Sequence, residues 1–190
     1  MAGRDFVFRE RLGGGGFGLV FRAYQPELDR EVAVKVIHPS IVSTEGFVEA
    51  FVTEARVVAR LEHPHIVPLY GFGQDDEGAW LVMRLLRGGS LAEALRRGPW
   101  RPEAAAGLVR DIGGALELAH RHGVVHRDVK PGNILLDQEG AGYLADFGIA
   151  FDTFSTEPAG RLRVRRCIWH RSSSGAIRFP RPPTSTAWPW

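Results

Sequence analysis

One short stretch of this 190-residue chain gathers most of the side chains that could do chemistry: His126-Arg127-Asp128-Val129-Lys130-Pro131-Gly132-Asn133, then Asp146-Phe147-Gly148. Asp128 can accept or orient a hydroxyl proton, and Lys130 can neutralise charge on a transferred phosphoryl group. Asn133 offers a hard oxygen suited to Mg²⁺, and Asp146 offers a second, charged one. Each triplet alone is common. Their order and spacing together are not.

Two further features lie upstream. Leu12-Gly13-Gly14-Gly15-Gly16-Phe17-Gly18-Leu19-Val20 contains the spacing Gly13-x-Gly15-x-x-Gly18. Glycines let a hairpin backbone come close to phosphate oxygens, and Phe17 at the tip can shield the site from water. Alone the motif is weak, because the same spacing marks dinucleotide folds. Those need a helix after the glycines, whereas here a second strand follows. Then Lys35 ends the run Val32-Ala33-Val34-Lys35. An exposed strand lysine is the ordinary reading, but Glu54 sits in the next helical segment and could aim its ammonium at phosphates. Of 24 basic residues only Lys35 and Lys130 are lysine. In a chain so biased to arginine, a retained lysine marks a place where a compact point charge differs from a planar fork.

The elements that must carry these residues are legible as patterns. Phe6–Glu10, Leu19–Tyr24 and Glu31–Ile37 read as strands, being β-branched or aromatic runs broken by turn residues. Ser43 to Leu61 reads as one helix, with Phe47, Phe51, Ala55 and Val58 on a single face and His63-Pro64 closing it. Ile66–Gly71 and Ala79–Met83 read as two more strands. Gly88-Gly89 reads as a hinge, and Ser90 with Glu93 as a capping box for a short helix ending at Gly98. A longer helix runs from Pro102 to about His122, with Gly123 as its stop. Its apolar face is Ala105, Leu108, Val109, Ile112, Ala115, Leu116 and Ala119. Val124–Val125, Ile134–Leu136 and Tyr143–Ala145 are short strand-like pieces. Trp80 and Trp100 read as packing residues, and His63, His65, His120 and His122 as structural or surface histidines.

Hydrophobic content of 44% and charged content of 24% are globular values. No apolar run is long enough to span a bilayer, and the N-terminus lacks the apolar stretch of a signal peptide. The single cysteine, Cys167, excludes an internal disulfide framework and a multi-cysteine zinc site, so a reduced, cytoplasmic protein is expected. The net charge of +2 hides an asymmetry: residues 1–150 hold 17 basic and 20 acidic residues, whereas 151–190 hold seven arginines against Asp152 and Glu157. Such a basic tail reads first as a solvated arm and second as a contact for nucleic acid or a membrane surface.

The series of motifs resembles the eukaryotic-like (Hanks-type) Ser/Thr protein kinases, especially bacterial ones, over roughly residues 6–157. The resemblance implies an α+β, protein-kinase-like fold. Its N-lobe would span 6–86, a five-stranded antiparallel sheet plus one helix, with a partial helical C-lobe over 87–160. It implies ATP and Mg²⁺ as cofactors and protein Ser/Thr hydroxyls as substrate. On it, Lys35 binds the α/β-phosphates and pairs with Glu54, Asp128 is the catalytic base beside Lys130, and Asn133 and Asp146 hold the metal. Residues 12–20 cover the phosphates. Val20, Ala33 and Leu135 sandwich the base, Met83 is the gatekeeper, and Arg84–Leu86, with Leu85, form the hinge. Val58, Leu69, His126 and Phe147 form a regulatory stack. Arg127 grips a phosphorylated loop, making Thr153, Ser155 and Thr156 candidate phosphosites. The alternative reading is an ATP-binding but catalytically inactive remnant.

The resemblance stops after Ala150. The family continues with an Ala-Pro-Glu motif and a helical subdomain, and residues 161–190 contain neither. A different reading frame accounts for this. Trp169 is TGG and His170 begins CA, so the shifted codon is GCA, alanine. With G or C at most free third positions, the following residues become Pro-Glu-Gln-Leu-Arg-Gly-Asp-Pro. The preceding ones can supply Gly-Thr-Pro-Val-His-Met, given ATA for Ile168, and Pro183 onward can supply Asp-Ile-Tyr-Gly-Leu. The expectation is a frameshift near Gly160–Arg163, which makes 161–190 out-of-frame translation and leaves no basis for a nucleic-acid partner. Resequencing the segment should recover the Gly-Thr-Pro-x-x-Met-Ala-Pro-Glu frame; independent reads with an unbroken frame would overturn it.

Overall fold

The computed structural model describes residues 6–15, 18–43, 46–75 and 78–147. The hairpin tip Gly16-Phe17, Gly148, the candidate phosphosites and the tail 161–190 lie outside the described residues.

The first half is a five-stranded antiparallel sheet ordered β1-β2-β3-β5-β4. Its strands are β1 (Val7–Gly15), β2 (Gly18–Gln25), β3 (Arg30–Ile37), β4 (Leu69–Asp75) and β5 (Gly78–Arg84). Alternation along β3 sends Val32, Val34 and Val36 to one face and Ala33 and Ile37 to the other. The first set packs with Phe6, Phe8, Ala23 and Val82 beneath Phe21 and Trp80. The second set joins the main core, where Phe47, Phe51 and Ala55 of α2 are fully buried. Lys35 shares this inner face by the same alternation.

The single helix expected over residues 43–61 is shorter at both ends, and a separate short helix precedes it. α1 (Pro39–Val42) opens with proline in its first turn, and the His38 side chain accepts from the Ser40 N–H. α2 (Phe47–Val58) starts afresh after Gly46, which takes the left-handed conformation at φ 74°. That backbone state interrupts helix propagation, and glycine enters it without a Cβ clash. β1 runs further than expected, through Gly15, because glycines still pair across the hairpin: Gly13 faces Val20 and Gly15 faces Gly18. β4 starts later than expected, at Leu69. Ile66 instead makes a parallel bridge to Leu144, and Pro68 has no N–H to give the ladder.

The second half holds α3 (Leu91–Arg97), α4 (Pro102–Arg121) and a small hairpin of β6 (Ile134–Leu136) and β7 (Gly142–Leu144). Ser90 and Glu93 form the expected reciprocal capping box. Gly123, at φ 75°, stops α4. Val124–Val125 is not a strand, since the Val124 N–H folds back to the Ala119 carbonyl as part of that stop. Along α4 the buried line is Ile112, Ala115 and Ala119, whereas Val109 is 72% exposed and does not belong to the core face. It lies at the edge of the stripe, a position that periodicity alone cannot separate from its centre. Trp80 and Trp100 pack against the two cores as expected.

The two halves meet in a main-chain seam. Leu144 N–H donates to His65 O at 2.8 Å, and Val67 N–H donates to Leu144 O at 3.0 Å. Gly88 N–H to Leu136 O and Leu136 N–H to Gly89 O stitch the hinge to β6 at 2.9 and 2.8 Å. A Cβ on Gly88 would lie 2.2 Å from the Asp137 carbonyl oxygen, so only glycine fits this approach. Phe51 is fully buried, its ring set edge-on to Phe72 of β4 with centroids 6.1 Å apart. Phe51→Ala should therefore cost ~3–5 kcal/mol of unfolding free energy, read as a lower denaturant midpoint.

Candidate active site

The site lies along the seam because two loops are tied to one another there. Asn133 N–H donates to Lys130 O at 2.9 Å, closing a single 3₁₀ turn over Pro131–Asn133, and Ala145 N–H donates to Asn133 O at 2.8 Å. The segment carrying Asp146 is thus hydrogen-bonded to the loop carrying Asp128.

His126 makes the second tie. It is buried at 1% exposure, and its ring lies 4.7 Å from that of Phe147. Its Nε2 is 2.8 Å from the Ala145 carbonyl oxygen, and its Nδ1 accepts from the Asp128 N–H at 3.3 Å. The two partners define the tautomer: a proton on Nε2 and a lone pair on Nδ1. Burial pushes the imidazole below its ordinary pKa, with the Ala145 bond opposing. Of the expected stack, Phe147 and Val58 belong to one apolar cluster against which Leu69 packs, and His126 lies against Phe147.

Around Asp128 the geometry is polar. Lys130 Nζ lies 2.6 Å from Asp128 Oδ2. Asn133 Nδ2 donates to the Asp128 backbone carbonyl at 2.8 Å and to its Oδ2 at 2.9 Å. Two acceptors facing one end of the amide require nitrogen there, which leaves Oδ1 as the free end. The Lys130 ammonium first, and the Asn133 amide after it, hold the Asp128 carboxyl below the usual carboxylate range. Asp128 therefore stands ionised at neutral pH.

Across the seam, Lys35 Nζ donates to Asp146 Oδ1 at 2.7 Å. The lysine side chain is only 11% exposed, so the carboxylate supplies the partner that a nearly buried ammonium needs. Asp146 holds a left-handed backbone at φ 55° and Arg127 one at φ 62°, two of the three described non-glycine residues with positive φ. Such backbone is costly and is held only by its surroundings. Glu54 is half-buried on α2, next to fully buried Ala55.

The apolar candidates also gather. Ala33 and Met83 face each other across β3 and β5, and Val20 faces Lys35 across β2 and β3. Val20, Leu85 and Leu135 pack against the cluster that includes Ala33 and Met83. Leu12, Gly14 and Gly15 are exposed, Gly13 and Leu19 are half-buried, and Gly18 is buried. Gly18 has no room for a side chain, since a Cβ would lie 2.2 Å from the Val36 carbonyl oxygen. The histidines are structural where their bonds are visible. His63 Nδ1 accepts from the His65 N–H, His65 Nδ1 bonds the Gly142 carbonyl, and His122 Nδ1 bonds that of Leu118. The carbonyls of Asn133 and Ala145, which bind the loops together, could not be found from side-chain motifs, because any residue type supplies them.

A five-stranded sheet set over a helical half, with charged loops at their seam, is the protein kinase fold. The chain belongs to that family: residues 6–166 match the protein kinase domain. It is 44% identical over 149 residues to the serine/threonine-protein kinase PknE of Mycobacterium bovis, covering 78% of this chain and 26% of that protein. It is 43% identical over 145 residues to the serine/threonine-protein kinase PknL of Mycobacterium tuberculosis, covering 76% of this chain and 36% of the relative. Among solved structures it resembles Rad53 1-466 in complex with AMP-PNP, with a TM-score of 0.69 and 32% identity over 76% of this chain and 38% of that one. The chain thus spans about a quarter to a third of the length of these curated relatives.

The neutral, buried His126 has a pH consequence. Its folded pKa lies below the unfolded one, so its stabilisation is fully present above about pH 6.5 and is lost as pH falls through the folded value. Acidification from neutral pH should lower the melting temperature, and more steeply in the parent chain than in His126→Phe. Equal slopes would exclude His126 as the titrating group.

Proposed function

We propose that this chain is a Ser/Thr protein kinase domain that transfers the γ-phosphoryl group of ATP to protein hydroxyls. The observation that carries the reading is the ionised Asp128, held by Lys130 and Asn133 on a loop hydrogen-bonded to the segment of the Lys35–Asp146 pair. Asp128 orients the substrate hydroxyl and takes up its proton as the oxygen attacks. Lys130, 2.6 Å from it, offsets negative charge on the moving phosphoryl group. Lys35 holds the α/β-phosphates and, with nucleotide bound, shares its charge with Glu54. Ala33, Val20 and Leu135 enclose the adenine, Met83 limits the depth of the pocket, and Leu85 meets the adenine edge. The glycine hairpin, residues 12–20, covers the phosphates.

The donor set fits Mg²⁺. Asn133 presents Oδ1 because its nitrogen is committed to Asp128, and Asp146 has a second carboxylate oxygen beyond the one bonded to Lys35. Bound there, Mg²⁺ would neutralise phosphate charge. No helix among the described residues is long and apolar enough to cross a membrane, and ATP use with a single cysteine fits a cytoplasmic setting.

Purified chain with Mg-ATP should label itself or a generic basic substrate. Asp128→Asn should lower that rate by about 10²- to 10⁴-fold while the nucleotide-dependent rise in melting temperature persists. Lys35→Met should reduce both. Labelling that survives both substitutions would overturn the assignment. A thermal shift without labelling would identify the inactive, nucleotide-binding remnant.

A further inference from the structure

Two arginines bracket the segment proposed to meet adenine, in the run Arg84-Leu85-Leu86-Arg87. Arg84 ends β5, within the sheet, opposite Val32 of β3. Its guanidinium nevertheless reaches the other half of the molecule and lies 5.3 Å from the ring centroid of Tyr143 on β7. Arg87 sits on the far side of the hinge, next to Gly88, whose N–H is bonded to β6. Its guanidinium turns back to the sheet and pairs with Glu31 Oε2 on β3. Each arginine crosses the hinge, in opposite directions.

Both receiving groups are themselves held. Tyr143 Oη donates to Asp137 Oδ2 at 3.2 Å, and Asp137 Oδ1 accepts from the Glu139 and Ala141 N–H groups. The His65 ring stands 6.0 Å from the same tyrosine. Glu31 receives Arg22 on its other oxygen, Oε1, at 2.6 Å from Nη2, and Arg22 also bonds Glu10 at 3.0 Å. A fixed ring and a fixed carboxylate give each arginine a defined target.

We infer that Arg84–Tyr143 and Arg87–Glu31 form a crossed clasp that sets the angle between the two lobes, and with it the width of the nucleotide cleft. Both arms span the hinge between the sheet and the second half, so a change in the angle between them alters the length of each arm. The four are positioning residues that do not touch the reacting atoms. Their relevance to catalysis rests on the kinase reading, but their effect on lobe geometry does not. One arm is an exposed ion pair and is screened by salt. The other is a cation–π contact on a ring that packs in the seam. Each is weak alone, and the clasp depends on having both.

Spin labels on Leu28→Cys and Val109→Cys, both well exposed and one in each half, with Cys167→Ser, read the inter-lobe distance in the full chain without nucleotide. The parent should give a narrow distribution. Arg87→Gln and Tyr143→Leu should each broaden it toward longer distances, and together more so. Tyr143→Phe, which keeps the ring but frees it from Asp137, and Arg22→Gln, which keeps Arg87–Glu31 but frees one side of the carboxylate, should each broaden it less than loss of the arm itself. In parallel, affinity for Mg-ATP should fall about threefold for each arm and about tenfold for both. An unchanged distribution in the double variant, in protein whose circular dichroism is native, overturns the clasp. So does broadening by Tyr143→Phe equal to that by Tyr143→Leu. If the parent binds no Mg-ATP, the kinase reading fails, and the distances still decide the clasp.

Discussion

A nearly buried ammonium must have a counter-charge, and Lys35 finds one in Asp146, 111 residues further along the chain. Most of the architecture serves to bring that pair together. The sheet holds Lys35 on its inner face through the register of β2, β3 and β5. The seam between His65, Val67 and Leu144 delivers the strand that leads to Asp146. A pair this far apart in sequence is brought together only by the assembled fold.

Neutral contacts then place the charged ones. His126 has one ring nitrogen for the Ala145 carbonyl and one for the Asp128 N–H, so a single side chain spaces the two acidic loops. Asn133 does the same with its amide nitrogen and its backbone carbonyl. The apolar cluster around Phe147 and Val58 connects this point to α2, so helix position and loop position are coupled through packing. Kinase chemistry relies on positioning and electrostatics more than on covalent steps, and these contacts are of that kind.

Much of the fold was legible in the residues. The alternation of β3, the capping box at Ser90, the glycine stop after α4 and the hairpin character of the glycine run follow from local patterns, and the structure keeps them. Helix and strand limits were less legible. The helix expected from Ser43 begins only at Phe47, because Gly46 takes the left-handed conformation just before it. Val109 carries the right residue type at the rim of a stripe and faces solvent, since only the neighbouring element decides how wide a buried stripe is.

The sequence by itself determined the family, the order of the motifs and the candidate residues, because residue identity and short-range spacing carry that information. Lys35, Asp128, Lys130, Asn133 and Asp146 stand out from the string alone. Tertiary structure decided which of them touch: Lys35 with Asp146, Lys130 with Asp128, Asn133 with Asp128 through its nitrogen. It also decided that Arg84 and Arg87, three residues apart, reach opposite halves of the molecule. Contacts of this sort depend on the register and crossing of distant segments, which no local pattern encodes.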